Sequence, residues 1–466
     1  MKLIYGVKDK PKFSQVIVFA IQQLLAIMAA TVVVPTIVGN GMSQPAALFG
    51  AGVGTIVYLL FTKFRSPVFL GSSFAFIGPM CAAFAGAMSN VMLGYLGLII
   101  GAVFAALVYV VIAIAVKFAG VKWISKIMPA SVIGPTVALI GLSLSSAAIN
   151  DVFCYNTPIT YGTSKFFVMT PTLWASLTCA LVTLAVVILC SVYGKKMTKL
   201  IPFIIGILAG YATGLVFTVI GIATGNDAIK IINFAPFQNL VADGVTLKTF
   251  ISIPEFSFVK AFKGLDGFNA SYLATVAVAY IPVAFVVFAE HLADHKNLSS
   301  IIENDLLEDP GLHRTLLGDG IGSMAGAFFG GCPNTTYGES VGCVAITKNA
   351  SIITIFTTAI MAIAISFLSP FVAFLTSIPG CVMGGVCITL YGFIAVSGLK
   401  MIQKVDLEDN ANLFTVSAIL IPGIGGMAMA IGGNDKIYIT GIACALILGI
   451  LTNIMVNKAR KNKDAE

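Results

Sequence analysis

Long apolar stretches separated by short polar connections make up most of this chain. Most of them approach the roughly twenty residues that an α-helix needs to cross a bilayer, whereas a strand of a membrane barrel shows only about ten alternating residues. The pattern therefore predicts an all-α polytopic membrane protein with fourteen transmembrane segments. The apolar windows lie at residues 14–38, 45–62, 68–88, 92–116, 129–149, 171–193, 201–223, 268–294, 314–331, 334–349, 351–372, 376–396, 410–431 and 437–457.

The third and tenth windows differ from the others because proline and glycine interrupt them, for example at Pro67, Gly71 and Pro333. Each is the third window of a seven-window half, and broken segments at matching positions of two halves point to the binding site of a transporter. Since seven is odd, the second half must be inverted relative to the first. Irregular backbone at membrane depth lines a cavity or is buried in protein. We therefore expect short β-strands at residues 74–77 and 335–337 to pair with each other.

Charge supports the membrane assignment and gives it an orientation. Charged residues make up 10% of the chain, against about 25% in a soluble domain. With the N-terminus inside, only six of the 27 basic residues fall outside, so the positive-inside rule favours an even number of spans with both termini cytoplasmic. The net charge of +7 thus reflects orientation in the cytoplasmic membrane and indicates no nucleic-acid partner. The six outside residues are Lys165, Lys230, Lys248, Lys260, Lys263 and Lys436.

Four carboxylates, those of Glu290, Asp294, Asp319 and Glu339, lie inside or against strongly apolar stretches. An ionisable group in hydrocarbon costs several kcal/mol, so it is rarely kept without a use. Glu290 and Asp294 are four residues apart and share one helix face. Desolvation and mutual repulsion favour their protonated forms, which suits a site that loads and releases a proton. The alternatives are a solvated helix end for Asp294 and a purely structural carboxylate for Glu290.

Glu339 follows Gly338 within the broken tenth window. A carboxylate accepts hydrogen bonds from N–H groups, while free backbone amides beside it donate to C=O groups. The rings of Tyr337 and Phe74 would cover the face of a flat substrate. The segment therefore predicts a site for a flat, polar, neutral ring, and the alternative for Tyr337 is ordinary packing.

Asp319 stands between two glycines early in the ninth window, so it is either a further proton-coupling group or the cap of a helix. His291 and His295 flank the acid pair, and we interpret both as hydrogen-bonded scaffold. The nine cysteines are scattered and show no metal-ligand or disulfide spacing. The sequence also lacks nucleotide-binding and intramembrane-protease signatures, which argues against an enzyme or an ATP-driven pump.

At the broken windows and the acid pair, the chain resembles the nucleobase–ascorbate transporter family, and within it the bacterial uracil permeases. The resemblance covers essentially the whole chain, window by window. The motifs that carry it lie at residues 70–76, 289–291, 309–314, 333–339, 342–347, 383–385 and 390–392.

The resemblance implies fourteen segments in two inverted seven-segment repeats, with short antiparallel strands in segments 3 and 10. It implies a core domain (residues 1–128 and 268–372) and a gate domain (residues 129–267 and 373–466). The implied activity is proton-coupled import of a nucleobase such as uracil by a homodimer, with the proton as coupling ion and no cofactor. By position, Glu290 and Glu339 would bind the ring, the backbone at Phe74 and Gly338 would donate to it, and Tyr337 and Tyr391 would line the pocket.

Five positions depart from the family patterns. Gln23 and Asp294 replace histidines of the uracil type, Ser340 replaces the asparagine of most members, and Cys381 replaces the second proline of an Ile-Pro-x-Pro pattern. Asp319 replaces an asparagine of the uracil type and is found in purine-transporting relatives. These departures leave open a purine such as xanthine or urate as substrate, although purine members usually have glutamine where this chain has Glu339. An anion transporter or channel of the same architecture would need cationic residues or helix N-termini. Four buried acids argue against that alternative.

Overall fold

The computed structural model of the protein is mostly helical and describes residues 3–120, 129–153, 159–161, 164–195, 197–242, 244–431 and 437–463. Its helices are α1 (Phe13–Val38), α2 (Gln44–Phe61), α3 (Ile77–Gly86), α4 (Val91–Ala119), α5 (Ala130–Ser143), α6 (Ser145–Val152), α7 (Pro171–Tyr193), α8 (Met197–Leu200), α9 (Pro202–Thr224), α10 (Ala235–Asn239), α11 (Leu247–Phe250), α12 (Ser257–Phe262), α13 (Ala270–Ile302), α14 (Leu312–Gly330), α15 (Gly338–Thr347), α16 (Ile352–Ile365), α17 (Ser369–Ser377), α18 (Gly380–Ile402), α19 (Asn410–Ile424) and α20 (Gly441–Lys463). The strands are β1 (Leu70–Ser72), β2 (Ile159–Tyr161), β3 (Ser164–Phe166), β4 (Asn334–Thr336), β5 (Met429–Ile431) and β6 (Ile437–Ile439).

Every predicted apolar window contains a helix, which confirms a multi-pass helical membrane protein. The number of membrane crossings stays a prediction, because several of these helices are short. Among the described residues, eight helical stretches are long and apolar enough to cross a membrane: Phe13–Val38, Gln44–Phe61, Val91–Phe118, Ala130–Val152, Pro171–Tyr193, Pro202–Thr224, Ala270–Ile302 and Gly380–Ile402.

Helix α13 is the longest, with 33 residues, and it runs past the end of its predicted window at residue 294. It begins after Asn269, whose side chain accepts a hydrogen bond from the Tyr272 amide at 2.8 Å. It ends at Glu303, which adopts a left-handed conformation with φ of 55°. The window ended early because hydropathy marks the edge of an apolar layer, whereas a helix continues while its backbone hydrogen bonds are made.

The two broken windows meet in an antiparallel sheet of two short strands. Strand β1 pairs with β4 in the register Leu70 to Thr336 and Ser72 to Asn334, and each strand is followed by a ten-residue helix, α3 or α15. The expected strand at residues 74–77 is wrong, because the first strand lies at 70–72 and helix α3 begins at Ile77. Residues 74–76 instead lie in the turn between β1 and α3.

Glycines allow α2 and α14 to approach closely beside this sheet. A Cβ on Gly50 would lie 2.6 Å from the Gly326 carbonyl oxygen, and one on Gly54 would lie 2.6 Å from that of Gly322. Small residues four apart permit such backbone contact between membrane helices. The side chain of Asn334 enters this seam and donates from Nδ2 to the Gly50 carbonyl at 3.0 Å. Strand β4 is thereby fixed against the helix pair immediately before α15.

The helices pack as two groups. One contains α1–α4 with α13–α16, and the other contains α5–α7 and α9 with α18–α20. The groups match the predicted core and gate segments in outline, and the division into domains stays a prediction. The first predicted domain boundary, after residue 128, lies at the edge of a range that the structure does not describe. Five basic residues also lie outside the described ranges: Lys2, Lys122, Lys126, Lys196 and Lys436.

Candidate functional site

A cavity of about 460 Å³ opens between the two groups of helices, beside the β1–β4 sheet. This volume is typical of small-molecule sites. Six residues expected at the site from the sequence line it: Phe74, Glu290, Asp294, Tyr337, Gly338 and Glu339.

Helix α13 contributes both members of the acid pair to the cavity. Glu290 and Asp294 face it one turn apart, accompanied by the small side chains of Ala289 and Ala293. The hydroxyl of Thr336 donates to Asp294 Oδ2 at 3.0 Å, which ties α13 to β4. The alternative of a solvated helix end for Asp294 is therefore wrong. Its carboxylate lies within the cavity wall, eight residues before the helix ends.

Strand β4 and helix α15 present the second acidic wall. Helix α15 begins at Gly338, so Glu339 lies in its first turn, where amide N–H groups have no acceptor within the helix. The Tyr337 hydroxyl donates to the Ser72 carbonyl at 2.7 Å, which holds its ring against β1. A Cβ on Gly71 would overlap that ring, so glycine is required there. The wall thus combines a carboxylate acceptor with amide donors beside an aromatic face.

Two of the departures from the uracil-permease pattern contact each other. Gln23 Nε2 donates to Ser340 Oγ at 2.5 Å, and both side chains are buried. The same hydroxyl accepts from the Phe69 amide at 3.0 Å. The first turn of α15 is therefore held against α1 and against the segment that leads into β1. Nothing in the sequence alone places these two residues together, because they lie 317 positions apart.

Phe74 and Tyr391 meet across the two helix groups. Their ring centroids are 6.3 Å apart at an interplanar angle of 75°, an edge-to-face contact. Phe74 lines the cavity, but Tyr391 is not among the lining residues. The expectation that Tyr391 lines the pocket directly is thus corrected: Tyr391 is buried and contacts Phe74, which does line it.

Asp319 lies in the middle of the protein and away from the cavity lining. Helix α14 begins at Leu312, so Asp319 is in its third turn and the helix-cap alternative is wrong. Asp319 Oδ2 is 2.7 Å from His291 Nδ1, and both side chains are fully buried. The Thr315 hydroxyl donates to the Leu312 carbonyl at 3.0 Å, so it accepts from His291 Nε2–H at 3.0 Å. Asp319 and His291 then share one proton between them.

His295 is also part of the buried scaffold. Its Nδ1 is 2.8 Å from the His291 carbonyl, which can only accept, so Nδ1 carries the proton. Its Nε2 lies 2.7 Å from the Tyr58 hydroxyl, which is also 2.7 Å from Ser66 Oγ, so the three side chains form one buried hydrogen-bonded group. Neither histidine is among the lining residues. Within the described ranges, no group of three or more His, Cys, Asp or Glu residues could hold a metal ion.

The opposite wall of the cavity comes from the second helix group, and sequence reasoning missed it. These residues are mostly apolar and look like any other core or lipid-facing position, so no sequence signal marks them. The rings of Phe203 and Phe393 contact each other edge to face, with their centroids 6.1 Å apart. The residues of this wall are Ile133, Val137, Phe203, Leu390, Phe393, Ile394, Ser397 and Met401.

Comparison with known proteins gives a family and a fold. Residues 14–432 match the model described as Permease family. The uracil permease of Bacillus subtilis (strain 168) is 35% identical over 99% of this chain and 97% of its own length. The uracil permease of Escherichia coli (strain K12) is 33% identical over 96% of this chain and 92% of its own length.

Among solved structures, the transmembrane domain of the cyanobacterial bicarbonate transporter BicA superposes with a TM-score of 0.64 at 15% identity, covering 96% of this chain and 99% of that one. The murine anion transporter Slc26a9 in its inward-facing state gives a TM-score of 0.63 at 11% identity, covering 97% of this chain and 69% of that one. At such identities the likeness concerns the fold alone.

Proposed function

The chain belongs to the Permease family, and we propose that it imports uracil across the cytoplasmic membrane by alternating access, in symport with protons. The observation that carries this proposal is the presence of Glu290, Glu339 and the first-turn amides of α15 in one cavity. Uracil is a flat, neutral ring whose N–H groups donate and whose C=O groups accept, so it matches both kinds of wall group. The two uracil permeases at 33% and 35% identity support the choice of substrate.

In the proposed complex, Glu290 and Glu339 accept hydrogen bonds from the ring N–H groups. The backbone at Phe74 and Gly338 donates to the ring carbonyls, and the rings of Phe74 and Tyr337 enclose the ring faces. Tyr391 supports the Phe74 ring through their edge-to-face contact. Glu290 carries the coupled proton. Asp294, one turn away on α13, and the buried pair of Asp319 and His291 are further coupling groups.

We propose the family architecture for the whole protein: fourteen segments in two inverted repeats, divided into core and gate domains and assembled as a homodimer in the lipid bilayer. The apolar wall belongs to the gate. Ile133 and Phe203 lie near the first residues of α5 and α9, and Met401 lies near the last residue of α18. In the predicted topology these helix ends are cytoplasmic, which supports an inward-facing state.

Uracil should stabilise the purified protein against heat, and xanthine at the same concentration should not. A ligand that binds only the folded state at 100 times its dissociation constant adds about 2.7 kcal/mol to the free energy of unfolding. The rise in Tm with each nucleobase measures this difference directly. Stabilisation by xanthine and not by uracil would overturn the pyrimidine proposal in favour of a purine symporter. A purine symporter is the second candidate because Asp319 is found in purine-transporting relatives.

Both termini should be cytoplasmic. We expect a cysteine introduced at Lys461 to react with a membrane-impermeant thiol reagent only after cells are permeabilised, because the basic residues concentrate on that side. A cysteine at Lys248, exposed in the predicted outer connection, is the matched control and should react in intact cells. Labelling at position 461 in intact cells would exclude this orientation.

A further inference from the structure

The first described residues of the chain pair with the connection between α15 and α16. Residues 3–9, here named the N-terminal strap, run beside residues 348–352. Four backbone hydrogen bonds join them: Ile4 N and Tyr5 N to the Lys348 carbonyl at 2.8 and 3.3 Å, Ala350 N to the Tyr5 carbonyl at 2.9 Å and Ile352 N to the Val7 carbonyl at 3.1 Å. The Ser351 side-chain hydroxyl donates a fifth hydrogen bond, to the Asp9 carbonyl at 2.7 Å.

The strap is also attached to α1 and to the apolar side of the site. The Tyr5 hydroxyl donates to Gln15 Oε1 at 2.8 Å, and the Tyr5 ring meets the Phe19 ring edge to face. Leu3 and Val7 pack against the buried cluster that contains Tyr337, Val341 and Val344. Tyr337 lines the cavity, and the two valines belong to α15. The strap thus bonds to the connection that follows α15 and packs against the same apolar cluster as α15 does.

We infer that the N-terminal strap is a positioning element for the substrate site. Helix α15 has only ten residues, and helices shorter than about 12–15 residues depend on tertiary contacts for their stability. Its first turn, which carries Glu339, is held by Ser340 and by β4, and its last turn is held by the strap. Without the strap, the helix gains freedom to tilt or fray, and Glu339 loses its alignment with Glu290.

The test is a pair of substitutions at Ile4. Ile4→Pro removes the shorter of the two N–H bonds to the Lys348 carbonyl. Little packing is lost, because Ile4 is 59% exposed. Ile4→Val keeps the amide and is the matched control. With uracil as ligand, which rests on the proposed function, we expect the KM of Ile4→Pro to rise about tenfold or more, since small misplacements of binding groups cost that much. The maximal rate should stay within about twofold, and Ile4→Val should match the wild type.

A measurement without ligand separates this inference from the proposed function. Cys343 of α15 is buried, as is Cys387 of α18 in the other helix group. In Ile4→Pro, a thiol reagent should label Cys343 faster than in the wild type, while Cys387 stays unchanged. Equal labelling of Cys343 in both proteins, or faster labelling of both cysteines, would overturn the positioning role. A wild type that does not bind uracil would refute the proposed substrate, and the labelling comparison would still decide on the strap.

Discussion

Replacing Glu339 by alanine is expected to abolish uracil binding while the protein stays folded. The substitution removes a charged acceptor from the first turn of α15 and leaves a ring N–H without a partner in the cavity. Hydrogen bonds to charged groups contribute about 1.5–3 kcal/mol, and an unpaired buried donor costs a further ~1–3 kcal/mol. Affinity should therefore fall by about a hundredfold or more, so that uracil no longer binds at concentrations that stabilise the wild type. The fold should persist because Asn334, Tyr337 and Ser340 make the hydrogen bonds that hold this segment.

Thermal stabilisation of the purified protein by uracil measures this loss. Glu308→Ala, which removes an exposed carboxylate outside the cavity, is the matched control and should respond to uracil as the wild type does. Equal stabilisation of the wild type and Glu339→Ala by uracil would show that the ring is not held at α15.

Replacing Glu290 by glutamine should eliminate accumulation of uracil against its gradient. Uracil is neutral at physiological pH, so concentrating it requires a co-transported ion, and each charge moved is worth about 2.3 kcal/mol per 100 mV. Glutamine preserves the shape and some hydrogen bonding but carries no exchangeable carboxyl proton. We therefore expect weakened residual binding that depends less on pH, and no uphill transport, in uptake assays with an imposed proton gradient.

Asp294→Asn should produce a milder defect than Glu290→Gln. An asparagine at this position still offers an oxygen to the Thr336 hydroxyl, so the contact between α13 and β4 survives. If Glu290→Gln concentrates uracil at wild-type levels, the proton travels elsewhere. The Asp319–His291 pair then becomes the next candidate, because those two groups share one proton and His291 directly follows Glu290 in α13.

The helical architecture followed from the sequence because hydropathy reports directly on the apolar layer. The broken windows also indicated the site. Pro333 and Gly338 interrupt the tenth apolar window, and residues 335–339 of that window line the cavity. The strand at 70–72 was missed because residue preferences favour the aromatic run at 74–76. Pairing with β4 instead fixes the strand four residues earlier, through backbone contacts that no local preference encodes.

The acidic site residues were predictable because a carboxylate in an apolar stretch is costly and therefore informative. Their partners were not, because Thr336 meets Asp294 and His291 meets Asp319 across large separations in the chain. The apolar wall of the cavity had no sequence signal, since Ile133 and Phe393 look like lipid-facing residues. Sequence thus identified the charged half of the cavity, and only the packing of the two helix groups revealed the apolar half.

Uptake of radiolabelled uracil into proteoliposomes that contain only this protein tests proton-coupled uracil import most directly. With an inward proton gradient, we expect the internal uracil concentration to rise above the external one and to fall back when a protonophore dissipates the gradient. Vesicles at equal pH on both sides should only equilibrate. Uracil that reaches the same internal level with and without the proton gradient would contradict symport with protons.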